Sequence, residues 1–223
     1  MSKSRTLGAV GALSALVLTG CGAAQPGTAV EVGDESITLS RVDEVAADFC
    51  QAIEPQLDAQ PQTIPNSYLR GGIAGTLALR SVADQVAAEY GVEVDSDRYQ
   101  QALSQLRTNV APVPEDYRDS VIEVESAPPY VEAVQAAVGE VELDGQGGYE
   151  EQVAAGAEVF TTWIAENGIE FDPALNTEIK DGAISTADGS VSFAVSESAK
   201  AGLAEEPNPA LARQLPDAHR CGR

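Results

Sequence analysis

Reactive side chains are few in this chain: three cysteines, Cys21, Cys50 and Cys221, and one histidine, His219, four residues from the C-terminus. A lone terminal histidine supplies neither a His-pair metal site nor a base beside a nucleophile. The sequence contains no Gly-rich phosphate loop, Cys-x-x-Cys, His-Glu-x-x-His or Gly-x-Ser-x-Gly. With 35 acidic residues, some carboxylate pair is close in any fold, so paired-carboxylate hydrolysis receives no specific support. Asp95-Ser96-Asp97 and the loop at Asp144 hold oxygen ligands without the spacing of a calcium loop. The expectation is no catalytic residue, no cofactor site and no metal site, and hence not an enzyme.

Cys21 differs from the other two in what precedes it. Lys3 and Arg5 lead into an apolar run from Leu7 to Leu18, and Thr19-Gly20 separate that run from the cysteine. A short basic start, an apolar stretch too short to span a bilayer comfortably and small residues before the cysteine make a cleavable export signal. Leu18-Thr19-Gly20-Cys21 resembles the bacterial lipobox. That resemblance implies cleavage before Cys21 and diacylglycerol on its sulfur; a transmembrane anchor or plain secretion is the alternative. The expected organisation is a lipoprotein signal peptide over 1–20 and a lipidated cysteine with a Pro/Gly-punctuated tether over 21–28. Residues 29–223 then form a single domain with a C-terminal tail, lipid-anchored on the extracytoplasmic face of the cell membrane. About 195 residues suffice to bury a core of their own.

Charge narrows the partners. The full chain has a formal net charge of -22, and removal of Lys3 and Arg5 with no acid leaves 11 basic residues against 35 acidic ones, or -24. Nucleic acid binding needs clustered Lys and Arg to displace counterions, and Lys180 and Lys200 are the only mature lysines. The same field opposes docking on anionic headgroups, which leaves acyl chains as the membrane attachment. Solubility is its plain role; attraction of basic or unfolded partners is the other.

If lipid consumes Cys21, Cys50 and Cys221 remain as the only thiols in a compartment where disulfides persist. One intramolecular pairing is then available, a Cys50–Cys221 disulfide; two unpaired thiols are the alternative. The bridge would close a loop of roughly 170 residues, for which chain entropy gives an upper figure of about 5 kcal/mol.

The surrounding pattern predicts an α+β fold, mostly α-helical, with about six helices and a small sheet joining N-terminal and C-terminal strands. Val30, Val32 and Ile37 around Gly33-Asp34 read as a hairpin. A helix capped by Thr38 or Ser40 follows, with Val42, Val45, Ala46, Phe49 and Ile53 on its apolar face, and Pro55 ends it soon after. A second runs from Asn66 to Tyr90 and stops at Gly91. Gly71, Gly72 and Gly75 weaken its start by roughly 1 kcal/mol each relative to alanine, which fits close approach of another helix or a mobile end. A third, capped by Asp95 or Ser96, carries Tyr99, Leu103, Leu106 and Val110 inward. Helices over 115–125 and 130–138 are separated at Ala127-Pro128-Pro129, and a sixth spans Tyr149 to Asn167. Beyond Gly168, Ile169-Glu170-Phe171, Glu178-Ile179-Lys180 and the alternating Ser190 to Val195 read as short strands, and Glu205 to Arg223 as a surface tail. Short strands need partners, so the economical arrangement brings both chain ends into one sheet under the helices.

Ala29-Val30-Glu31-Val32-Gly33-Asp34-Glu35-Ser36-Ile37-Thr38, followed by a helix containing Val42-Asp43-Glu44-Val45, resembles the opening of the SurA N-terminal domain and of related foldase lipoproteins. Ile169 to Phe171 with Asp172-Pro173, after the long sixth helix, resembles that domain's return to its sheet, with Asp172-Pro173-Ala174-Leu175-Asn176 standing for an Asp-Pro-Arg-Tyr-Gly-like run. The resemblance implies a chaperone-like module that binds unfolded segments of exported or envelope proteins. It lacks the parvulin domain, whose histidine pair is missing, so prolyl isomerase activity does not carry over. Gly71, Gly72 and Gly75 and the aromatic residues Tyr68, Tyr117 and Tyr130 are the candidate client contacts, and each also suits the core. The competing reading is an envelope scaffold or binding lipoprotein that holds one specific protein partner.

Overall fold

The computed structural model describes residues 26–60, 62–187 and 208–222. Cys21, with the whole export signal, and the alternating Ser190 to Val195 segment lie outside the described residues. In chain order the elements are β1 (Thr28–Val32), β2 (Glu35–Thr38), α1 (Leu39–Ala59), β3 (Ile64–Pro65), α2 (Asn66–Tyr90), α3 (Asp97–Asn109), α4 (Glu115–Glu142) and α5 (Tyr149–Asn167). Then come β4 (Ile169–Phe171), a 3-10 turn, β5 (Thr177–Lys180), β6 (Ala183–Thr186), α6 (Pro209–Ala212), a second 3-10 turn and β7 (Arg220–Cys221). The result is an α+β protein, mostly helical, with small antiparallel sheets.

β1 is the middle strand of the order β2-β1-β4, with Val30 opposite Phe171 and Val32 opposite Ile169. The opening of the chain and the strand after α5 therefore share a sheet. Val30 and Val32, fully buried, pack against Val82, Val86, Val134, Val138, Phe160 and Trp163 of α2, α4 and α5. Full burial of one such side chain contributes about 1.5–3 kcal/mol. A second cluster joins Ala29 to Val42, Val45 and Ala46 of α1, to Ile73 and Leu77 of α2, and to Leu175. The turn between β1 and β2 sits at Gly33, with φ of +55°, where a side chain would run into Gln85 and Trp163. Gln85 Nε2 donates to Val32 O at 2.9 Å, so α2 grips the hairpin at this point.

The helices α2 and α5 have the bounds expected of them, and Thr38 caps α1 by accepting the Arg41 N–H at 3.2 Å. Four expectations are corrected. First, α1 continues through Pro55 to Ala59, because Leu57 beyond the proline is buried and anchors the last turn. Second, the two helices expected around Ala127-Pro128-Pro129 are one helix, α4. An interior proline costs about 3 kcal/mol or more. Here burial of Ala127, Ala133 and Val134 on either side of the prolines holds the helical path.

Third, α3 buries none of its residues: Tyr99, Leu103 and Leu106 are half-buried, and Val110, just past its end, is the buried position. Fourth, the late strands do not all join the main sheet. β5 and β6 form their own hairpin, and β7 pairs with β3, Ile64 opposite Cys221 and Pro65 opposite Arg220. The tail is thus held down rather than merely laid on the surface, with Ala212 and Cys221 buried.

Unanticipated by the residue pattern is the seam between α4 and α5. A Cβ on Gly139 would lie 1.8 Å from Gln152 O, and one on Gly156 would lie 1.9 Å from Gln135 O. The two backbones touch at both glycines, so any side chain there forces the helices apart.

Candidate binding surfaces

Cys50 and Cys221 are bonded, with a Cα separation of 5.7 Å and a sequence separation of 171. The bond fastens β7 to α1, while Asn66 Nδ2 donates to Ala218 O at 3.1 Å and ties the same strap to the first residue of α2. Gly222, with φ of +80°, lets the chain pass Gln62 O and Leu57. His219 is exposed in the 3-10 turn before β7.

The glycine-rich start of α2 is filled by the protein's own β5–β6 hairpin and not by a helix. A Cβ on Gly71 would meet Thr177 Oγ1 at 2.3 Å and Leu175 O at 2.8 Å, and one on Gly75 would meet the Ile184 side chain at 2.7 Å. Gly72 alone faces open space. Close packing explains two of the three glycines. It also means that they present no vacant groove.

The tyrosines separate into struts and surface. Tyr130 donates to Asp84 Oδ1 at 2.6 Å, lies 5.7 Å from the Tyr99 ring and carries the Arg80 guanidinium 5.0 Å over its face. Burial, followed by the hydrogen bond to Asp84, pushes its hydroxyl up to about 12. Arg98 lies 4.1 Å over Tyr149, whose hydroxyl donates to Glu132 at 2.9 Å. These contacts fasten α3 to α4 and α5, and α4 to α2, through polar and aromatic groups. Tyr117 is half-buried, and Tyr68 is 45% exposed.

A different concavity opens at the other end of α2. Gly91, with φ of +64°, ends that helix, and the Val92 N–H donates back to Ala87 O at 3.0 Å. α4 ends beside it: Asp144 and Gly145 take positive φ, and the Gly145 N–H returns to Glu140 O at 2.7 Å. Tyr90 OH donates to Glu142 at 2.9 Å, which pins the last turn of α2 to the last turn of α4 and raises the Tyr90 pKa. Between these ends lies a shallow groove of about 430 Å³ lined by Val92, Glu93, Ala137, Glu140, Val141, Asp144 and Gly145. The residues come from two stretches of chain far apart in sequence, 92–93 and 137–145. Its acids at 93 and 140 have no distinguishing pattern in sequence, and Asp144 reads there only as part of a loop with oxygen ligands.

Among the described residues, no group of three or more His, Cys, Asp or Glu side chains is arranged to hold a metal ion. Among them also, no helix is long and apolar enough to cross a membrane. Comparison with known proteins finds no matching family model, no matching curated sequence and no matching solved structure.

Proposed function

We propose that this chain is a membrane-tethered extracytoplasmic lipoprotein that binds unfolded or exported polypeptide segments, without prolyl isomerase activity. The observation that carries the reading is the pairing of β4 with β1, Val30 opposite Phe171 and Val32 opposite Ile169. This is where the resemblance to the SurA N-terminal domain brings the chain back to its opening sheet after a long helix. The function proposed is binding rather than catalysis, with the lipid on Cys21 setting the location.

The lipid-bearing full chain, in detergent or vesicles, should slow aggregation of several unrelated unfolded exported proteins with no ATP, metal or cofactor added. Prolyl isomerisation should stay at background in the same samples. Robust isomerase turnover, or no effect on any client, overturns the reading. Cys21→Ser should release the protein from the membrane fraction or leave it unprocessed; unchanged processing and retention would defeat the lipid assignment.

The scaffold reading draws on one specific observation: the protein's own hairpin covers Gly71 and Gly75, which leaves no small-residue surface there for clients. A scaffold recovers one stoichiometric partner where a chaperone recovers many.

A further inference from the structure

Val141 is 51% exposed, the most exposed of the large apolar side chains among the described residues. It belongs to the groove between the ends of α2 and α4, where Val92 and Ala137 extend the apolar surface and Glu93, Glu140 and Asp144 carry its charge. No Lys or Arg lines the groove, and among the described residues none of these three carboxylates is in an ion pair. Arg41 pairs with Glu44 and Glu123, Arg70 with Asp43, and Arg220 with Asp217, all outside the groove.

Backbone polarity adds to the side chains. Both α2 and α4 end here, and neither has a basic residue in its last turn. Each C-terminal end carries about half a negative charge from its aligned peptide dipoles, which favours a cation within the last turn. Two such ends and three carboxylates around an apolar floor form a negative site with no counter-charge supplied by its own lining. The Tyr90–Glu142 hydrogen bond holds the two ends together before any partner arrives, so little ordering cost remains for binding.

We propose that this groove takes a short cationic amphipathic segment of an exported polypeptide. An aliphatic side chain of the segment sits on Val92, Ala137 and Val141, and flanking Lys or Arg side chains face Glu93, Glu140 and Asp144. The inference rests on the proposed client-binding function and names the class of segment bound. A second copy of this chain would bring like charge against like, and an anionic lipid surface is repelled for the same reason.

The test measures fluorescence anisotropy of a labelled short peptide alternating Lys and Leu, added to the full lipid-bearing chain in neutral detergent. Glu-Leu and Lys-Ser peptides of the same length serve as comparisons. The Lys-Leu peptide should bind, and its affinity should fall with added salt. The triple variant Glu93→Gln, Glu140→Gln, Asp144→Asn should weaken binding about tenfold, and Val141→Ser about threefold. A control that removes three charges elsewhere, Asp119→Asn, Glu158→Gln, Glu166→Gln, should change it by less than about twofold. Thermal melts verify that each variant is folded.

Equal loss from both triple variants means attraction by bulk charge and overturns the proposal. Indifference to Val141→Ser, equal binding of the Glu-Leu or Lys-Ser peptide, or a dimer that disappears with the groove variants overturns it as well. Aggregation suppression, measured on the same variants, separates the two levels. Suppression that survives loss of peptide binding discards the groove and keeps the function; groove binding without suppression keeps the groove and discards the chaperone.

Discussion

The two ends of α2 are built differently. At its start, Gly71 and Gly75 lie under Thr177 and Ile184 of the β5–β6 hairpin, and the disulfide-fastened β7 pairs with β3 just ahead. At its finish, Gly91 turns the chain away and leaves Val92 and Glu93 beside the end of α4, on an open groove. Gly71 and Gly75 mark where the protein's own chain comes close, while Gly72 between them faces open space. An open groove arises where separate segments terminate together and leave apolar atoms and charge uncovered.

The largest effect that would break this comparison lies behind the open end. Gly139 precedes the groove residues Glu140 and Val141, and its Cβ has no room against Gln152 O. Gly139→Ala should cost about 3 kcal/mol, read as a shift in the urea midpoint, and should distort the groove. A neutral outcome would mean that the helix crossing is looser than the structure has it.

Next in size is the closed end. The double variant Cys50→Ser, Cys221→Ser should lose about 3 kcal/mol. Hydrogen exchange should then accelerate in 208–222 and at Ile64, with residues 139–145 unchanged. Acceleration at both ends alike would erase the distinction between them.

The three glycines sharpen it further. Gly71→Ala should destabilise by about 2 kcal/mol, since the new methyl meets the Leu175 carbonyl as well as Thr177. Gly72→Ala, facing open space, should stabilise by up to about 1 kcal/mol through helix propensity. The same sign for both would refute the account of what covers them.

The alkaline range gives the smallest effect. The Tyr130 pKa rises from an ordinary 10.0 to about 12 through burial first and the Asp84 hydrogen bond second. A folded-state pKa raised in this way contributes stability that is fully present below about pH 10 and is lost as pH climbs toward about 12. Tyr130→Phe should therefore reduce the fall in stability across that window, as measured by denaturant midpoints at both ends of it. An unchanged fall would show that Tyr130 titrates alike in folded and unfolded chains.

Local signals carried much of the fold. Helical spacing of apolar residues and the stop at Gly91 placed α2, Asn167-Gly168 placed the end of α5, and Gly33-Asp34 placed the opening hairpin. What stayed hidden depended on packing between segments distant in sequence. Pro128 and Pro129 read as a break because local propensity cannot register that Ala127, Ala133 and Val134 are buried around them. Gly139 and Gly156 read as ordinary small residues because their meaning lies in a crossing. The groove was illegible for the same reason: Glu93 and Glu140 are two among 35 acids until the helix ends bring them together. The disulfide was readable by counting, but the strand pairing of β3 with β7, two residues on each side, is too short to leave a pattern.

The central claim, binding of many exported segments, is tested most directly by crosslinking in living cells. A photoreactive side chain placed at Val141 in the full chain is compared with one placed at Tyr68. Several exported proteins of unrelated sequence, captured from position 141 more than from position 68, are the predicted result. Capture of one stoichiometric partner from either position, or of none, would contradict it.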